Sequence, residues 1–443
     1  MKKKIMALCL ALSLSLTLCA CGGGGENTSG QTDASASITP EASSQPEPTV
    51  QEPSYTVAES QAYSEGMAWV VYRDESGATY TGAMDKEGKV RFCIEGGDVE
   101  TTPFKDGQAY VRTEDGLLLV DEDGLVYDFA GHLVDGELQA YGGGYAVVKR
   151  TTSDILEGNI DTYVLVDSTG AERTLGREVI GGYHSSGIFR EDRRDYYFPQ
   201  ADIWFNHIHE TVSAEIFDFG AFDDHVIELG GAPDMTAVSL IYMGKDDTQA
   251  TVVDVSGVPG LSNMGFVQPE PGNMSSGGDI FSFYAFGEGL DGQEYSNYYF
   301  LDLSTGTVHT YGGQYAELLT GACFSTGGDT LALELRGNDG VTYLLMVDRA
   351  LNELSEPIAV GGQNADYVAD SYGIVTDTGI LDLEGGQISD GSFADLEAAI
   401  NAADGSNPLV GDGAIKTREG VYYDYTGQLL FESIDASGAT QIG

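Results

Sequence analysis

Two histidines, His207 and His209, alternate in the stretch His207-Ile-His209-Glu210, and His184 and His225 lie on either side of it. Alternate residues of a strand point to one face, so a pair spaced this way can share a zinc ion, which needs further ligands to complete its shell. Those partners are not evident, and Trp204 and Phe205 next to the pair suit packing. His207 and His209 are therefore weak candidates, and no metal site is expected. A second segment, Arg190-Glu-Asp-Arg193-Arg194-Asp-Tyr196-Tyr197-Phe198, gathers arginine and aromatic side chains, the types enriched where partners dock. Arg190, Arg193, Arg194, Tyr196 and Tyr197 are the candidate partner contacts, against the plainer reading of a charged loop.

Catalytic signatures are missing. The chain has no Gly-x-Ser-x-Gly nucleophile elbow, no Walker sequence and no His-Glu-x-x-His. With 70 Asp plus Glu, some carboxylate pair must fall at the separation a glycosidase uses, so such pairs carry no signal. Acidic turns such as Asp121-Glu-Asp123-Gly124 lack the twelve-residue spacing of a calcium loop. No catalytic residue is assigned and no cofactor is expected.

Charge narrows the partners. Against those 70 acids stand 21 Lys plus Arg, a formal charge of -49. Nucleic-acid binding is set aside because it needs clustered cations to displace counterions. Docking onto anionic lipid through a broad basic face is excluded for the same reason, and mutual repulsion between copies favours a monomer. A composition 42% hydrophobic with only 12 Pro supplies a core.

The N-terminus sets the compartment. Lys2, Lys3 and Lys4 precede an apolar run from Ile5 to Leu18, too short to span a bilayer and suited to an export signal. Leu18-Cys19-Ala20-Cys21-Gly22 then resembles the bacterial lipobox. The resemblance implies that residues 1–20 are removed, that Cys21 is acylated, and that the protein sits on the outer side of the cytoplasmic membrane. Two or more acyl chains hold a soluble domain where one does not. Residues 21–54 are Gly, Ser, Thr, Pro, Gln and Glu with almost no large apolar side chain, the composition of a disordered tether. A flexible linker of that length reaches on the order of 30 Å. Of the cysteines left in residues 55–443, Cys93 and Cys323 sit in strand-like apolar surroundings and read as buried thiols, with a bridge between them as the alternative.

From Tyr55 onward, short runs of Val, Tyr, Leu, Phe and Thr alternate with Gly and Asp turns. An apolar residue followed by Asp, often with Gly three positions later, recurs at Asp85, Asp121, Asp167, Asp218, Asp254, Asp302, Asp348, Asp382 and Asp424. The mean step is near 42 residues, the size of a four-stranded propeller blade. The copies at Asp218, Asp254 and Asp348 are the weakest. Asp opens a tight turn by accepting backbone N–H bonds, and the Gly closes it in a left-handed conformation. Paired glycines, from Gly96-Gly97 to Gly361-Gly362, read as passages between units.

Tyr63-Ser-Glu-Gly66-Met-Ala68-Trp-Val70 and Phe104-Lys-Asp-Gly107-Gln-Ala109-Tyr-Val111 resemble the opening of the bacterial WG repeat. Gly82-Ala-Met-Asp85-Lys-Glu-Gly88-Lys-Val90 resembles its second half. The match is clear over residues 63–129, partial at Gly144-Tyr-Ala146-Val-Val148, and weak beyond about residue 180. The resemblance implies a scaffold with no shared catalytic residues.

The expected fold is an all-β, propeller-like repeat domain of seven or eight blades over residues 55–443, with a β-solenoid or tandem β-sandwiches as alternatives. A ring requires the first and last repeats to touch. One short helix is expected at 393–403, capped by Ser392. The functional expectation is a cell-surface, lipid-anchored scaffold that binds a protein or glycan. The alternatives are an extracytoplasmic polysaccharide hydrolase or lyase, and an assembly factor for a membrane complex.

Overall fold

The computed structural model describes residues 55–443 except 98, 115, 178, 185–186, 191–194, 206–215, 223–224, 232–237, 256, 259, 262–267, 271–279, 289–291, 326–329, 363–365, 402–408, 419 and 432. Cys21, His207, His209, Arg193 and Arg194 lie outside the described residues.

The chain forms nine four-stranded antiparallel meanders in sequence order. They occupy residues 56–95, 100–128, 137–176, 180–205, 216–253, 268–310, 319–362, 367–389 and 410–431. Strand residues alternate faces, and in these sheets both faces are apolar because each packs on a different neighbour. On the third strand of the second sheet, Leu118 and Val120 join Trp69 and Phe92 of the first sheet, while Leu117 and Leu119 join Ala146 and Val166 of the third. The pattern repeats at each junction. Tyr163 and Leu165 face Ile188 and Tyr197, Ile241 and Met243 face Phe198, and Leu345 and Val347 face Phe300.

The ninth junction closes the ring. Tyr63, Val70 and Val90 of the first sheet share a core with Ala414 and Tyr422 of the ninth and with Ile434. The Tyr63 and Tyr422 rings meet edge to face at 5.7 Å. Past the ninth sheet, Thr440–Gln441 adds a parallel strand to the fourth strand of the first sheet, so the C-terminus covers an edge that would otherwise be unpaired. The fold is a nine-bladed β-propeller, not the seven or eight blades expected, and it exceeds the usual four to eight.

The Asp turns explain the miscount. Seven of the nine mark the end of a third strand, in sheets one to three and six to nine, Asp348 included. At Asp424, one carboxylate oxygen accepts from the backbone N–H groups of Thr426 and Gln428, each at 2.9 Å, and from the Thr426 hydroxyl at 2.6 Å. Asp218 and Asp254 hold other positions: Asp218 lies in the first strand of the fifth sheet and Asp254 follows its fourth. The fourth and fifth sheets close this turn with an Asp at its far end. Asp202 N–H donates to Phe198 O at 3.0 Å, and the Asp247 carboxylate accepts from Gly244 N–H at 2.7 Å.

The turn glycines carry a second load. Gly88 has φ +80, and a Cβ there would come within 2.6 Å of the Phe431 ring on the fourth strand of the ninth sheet. Of the paired glycines, Gly96-Gly97, Gly312-Gly313 and Gly361-Gly362 lie where one sheet passes to the next, but Gly142-Gly143-Gly144 is a hairpin turn inside the third sheet.

The helix is Leu396–Ile400, shorter than expected. Asp395 caps it, accepting from Ala398 N–H at 3.1 Å, in place of Ser392. It connects sheets eight and nine and buries Leu396 and Ala399 between them. Cys93 is a buried free thiol, and Cys323 lies on the first strand of the seventh sheet.

Candidate functional site

In a four-stranded meander the first and third turns emerge on one face and the second turn on the other, so the ring has a face of first and third turns. On it, the WG-like segments form two-residue hairpins whose central residues both take positive φ: Glu65 and Gly66 at 52 and 81, Asp106 and Gly107 at 53 and 73. The pairs Gly143-Gly144 and Asp412-Gly413 repeat the geometry in the third and ninth sheets.

Adjacent hairpins are linked by carboxylates. Asp370 accepts from Gly413 N–H at 3.0 Å, and Asp412 from Gly66 N–H at 2.7 Å. Glu65 accepts from Asp106 N–H at 3.0 Å and from Gly107 N–H at 2.7 Å. This relay runs from the eighth sheet through the closure to the second. At the Asp106–Gly107 turn both central N–H groups donate to the neighbour's carboxylate, and at the Glu65–Gly66 and Asp412–Gly413 turns the glycine N–H does, as charge-assisted bonds. Lys86 reaches the Asp412 carboxylate at 3.0 Å and adds a cation at the seam.

Beyond the relay, the turns of sheets two to five enclose a cavity of about 430 Å³. The second sheet contributes Lys105, Asp106, Gln108 and Tyr110, and the third contributes Tyr141, Tyr145 and the Gly142–Gly144 turn. The fourth adds Tyr183, Pro199 and Gln200, and the fifth adds Lys245 and Asp246. Tyr110 is held rigidly: its hydroxyl donates to Tyr145 O at 3.0 Å, and its ring meets that of Tyr141 at 5.1 Å. Tyr183 lies across the glycine turn so closely that a Cβ on Gly142 would come within 2.1 Å of its ring and one on Gly143 within 2.1 Å of its hydroxyl. Glycine is required there by contact, in addition to the positive φ of Gly143. Lys245 forms an ion pair with Asp106, tying the fifth sheet to the second across the two between them. Burial raises the pKa of Tyr110, Tyr141 and Tyr145, with nearby Glu100 adding to the effect at Tyr141 and Asp167 at Tyr145, so all three hydroxyls stay protonated at neutral pH.

The arginine and tyrosine segment has a different role from the one its composition suggests. Arg190 is 4% exposed and stacks over the Trp204 ring, its guanidinium carbon 3.8 Å from the centroid. Tyr196 packs toward the fifth sheet and Tyr197 toward the third. The Tyr197 hydroxyl donates to Asp202 at 2.6 Å and receives Arg173 at 2.5 Å, and burial together with Asp202 pushes its pKa up to about 12. Arg190, Tyr196 and Tyr197 are thus core residues of the fourth blade and not an exposed contact surface: alternation sends Tyr196 and Tyr197 to opposite faces of the sheet, and each face is covered by a neighbouring blade.

Of the flanking histidines, His225 opens the second strand of the fifth sheet, its ring 5.8 Å from that of Tyr242. His184 ends the first strand of the fourth. Among the described residues no group of three or more His, Cys, Asp and Glu is placed to hold a metal ion. No described helix is long and apolar enough to cross a membrane.

Sequence reasoning missed the cavity because its residues come from four sheets and each is ordinary alone. The one available signal was local: Gly142-Gly143-Gly144 set between Tyr141 and Tyr145.

The architecture defines the protein as a β-propeller. No protein-family model and no curated protein matches the sequence. Similarity to solved structures is low in both sequence and TM-score. Dipeptidyl peptidase 4 from Porphyromonas gingivalis is 10% identical with a TM-score of 0.34, over 83% of this chain and 57% of the peptidase. An oligogalacturonate lyase from Vibrio parahaemolyticus is 10% identical with a TM-score of 0.30, over 73% and 82% of the two chains. The β-propeller domain of the Trilobed protease from Pyrococcus furiosus is 9% identical with a TM-score of 0.27, over 68% and 79%. The chain thus spans little more than half the length of the peptidase.

Proposed function

We propose that this chain is a lipid-anchored protein of the bacterial cell envelope, of the WG-repeat kind, whose propeller is a platform for binding a protein or glycan. The observation that carries the reading is the tyrosine-lined cavity built from the turns of four successive blades. Rigid strands position those turns, and a concave site with convergent polar groups is the usual form of a binding site.

Two measurements test the reading. Cys21→Ser is expected to move the protein from the membrane pellet to the soluble fraction; retention in the pellet would contradict the anchor. Crosslinking in intact cells followed by mass spectrometry is expected to capture one envelope component reproducibly through the cavity face. Release of soluble product from envelope polysaccharide, abolished by a single carboxylate substitution, would replace binding with hydrolysis or lysis. Reproducible capture of an integral membrane protein through the opposite face would favour an assembly factor.

A further inference from the structure

We infer that the cavity between sheets two and five binds an uncharged, hydroxyl-rich ligand, a short neutral oligosaccharide. The inference rests on the binding reading above and assigns it a ligand class.

Charge supports the assignment first. Acids outnumber Lys plus Arg by 70 to 21 over the chain, yet this cavity is lined by Lys105 and Lys245 and by Asp106 and Asp246, two of each sign. Lys245 already pairs with Asp106. A site balanced in this way offers no net attraction to a polyanion or a cation, and burying a lone ligand charge beside it would go uncompensated. What it does offer is donors and acceptors side by side, the requirement of a hydroxyl group that both gives and takes a hydrogen bond.

Shape supports it next. The lining includes Tyr141, Tyr145 and Tyr183 together with the Gly142–Gly144 turn. Tyrosine combines an apolar face, against which the C–H face of a pyranose packs, with a hydroxyl that reaches its substituents. Gln108 and Gln200 add amides that both donate and accept. The volume of about 430 Å³ falls in the lower part of the small-ligand range, fitting a few sugar rings and not a folded segment of a partner protein. The wall is also preorganised. Tyr110 is fixed to Tyr145 O, and Tyr183 is pressed on the glycine turn, so little side-chain freedom is lost on binding.

The test uses the full-length protein in detergent, with cellotriose, maltotriose and triacetylchitotriose as neutral probes and a hyaluronan tetrasaccharide as the anionic one. Saturation-transfer NMR and calorimetric titration read the association. The expected result is binding of at least one neutral trisaccharide, weakened about tenfold or more by Tyr183→Ala. Lys245→Ala, in the lining, is expected to weaken it as well, and Ile155→Asp on the opposite face to leave it unchanged. Should Tyr183→Ala fail to fold, Lys245→Ala provides the readout alone. Failure of all neutral probes overturns the inference, as does binding that both cavity variants leave intact or preference for the anionic probe. If the protein captures an envelope partner in cells while no saccharide binds, the ligand class fails and the platform reading survives. If neither binds, both fail.

Discussion

Substituting Gly88 probes the closure of the ring at a single atom. The residue has φ +80, and a Cβ there would meet Cγ of Phe431 at 2.6 Å and Cδ2 at 2.7 Å. Gly77 provides the control, with φ +86 and nothing within 4 Å. Placing an L side chain in the left-handed region costs about 1–2 kcal/mol. Overpacking a well-filled contact adds about 1–3 kcal/mol. Gly77→Ala should therefore lose about 1–2 kcal/mol and Gly88→Ala about 2–5 kcal/mol by combining these two contributions. Phe431 stacks on Tyr422 at 4.8 Å, so Phe431→Ala is itself destabilising, but in that background the steric part of the Gly88→Ala loss disappears. Urea unfolding followed by tryptophan fluorescence gives the four corners of the cycle. A coupling of about 1–3 kcal/mol between the first and ninth blades is expected. Equal losses for Gly77→Ala and Gly88→Ala, with no coupling to Phe431, would refute the reasoning.

Other perturbations address separate parts of the account. Glu172 accepts from Arg150 at 2.8 and 2.5 Å and from His132 at 2.8 Å, and these bonds lower its pKa from 4.5 to about 2. A depressed carboxyl contributes stability above its unfolded value and loses it as pH falls, so this contribution fades between pH 4.5 and about 2. Glu172→Gln should flatten that stretch of the acid unfolding profile, by less than about 1 kcal/mol because the pair is partly solvated; an unchanged profile would contradict the pairing. Asp424→Ala removes three accepted hydrogen bonds and should cost about 1–3 kcal/mol in urea unfolding, with Asp424→Asn recovering part of the loss. A neutral Asp424→Ala would deny the turn its role. Ile155 and Leu156 are 101% and 94% exposed at the tip of the long hairpin of the third sheet, so Ile155→Asp and Leu156→Asp should shift stability by no more than about 0.5 kcal/mol. A large loss would place that tip in a packed contact.

Much of the architecture was readable because propeller blades repeat local chemistry. An Asp at the end of a third strand accepts from the backbone N–H two positions on, so seven blades announce themselves in sequence. The double-sided apolar strands were legible for the same reason: Leu117 to Val120 can only be buried between two neighbours. The fourth and fifth blades escaped because their third turns put the Asp last, at Asp202 and Asp247, where the pattern does not look for it. Arg190, Tyr196 and Tyr197 differ from expectation because composition does not show that a blade covers each face of the fourth sheet and buries all three. The cavity depends on which turns become neighbours around a ring, a property of closure that no window of sequence contains.

Single-particle imaging of the full-length protein, viewed down the ring axis, reads blade number and closure together. A closed toroid of nine spokes is expected, the first abutting the ninth with no gap at the seam. Seven or eight spokes, an open horseshoe, or sheets divided between separate bodies would contradict it.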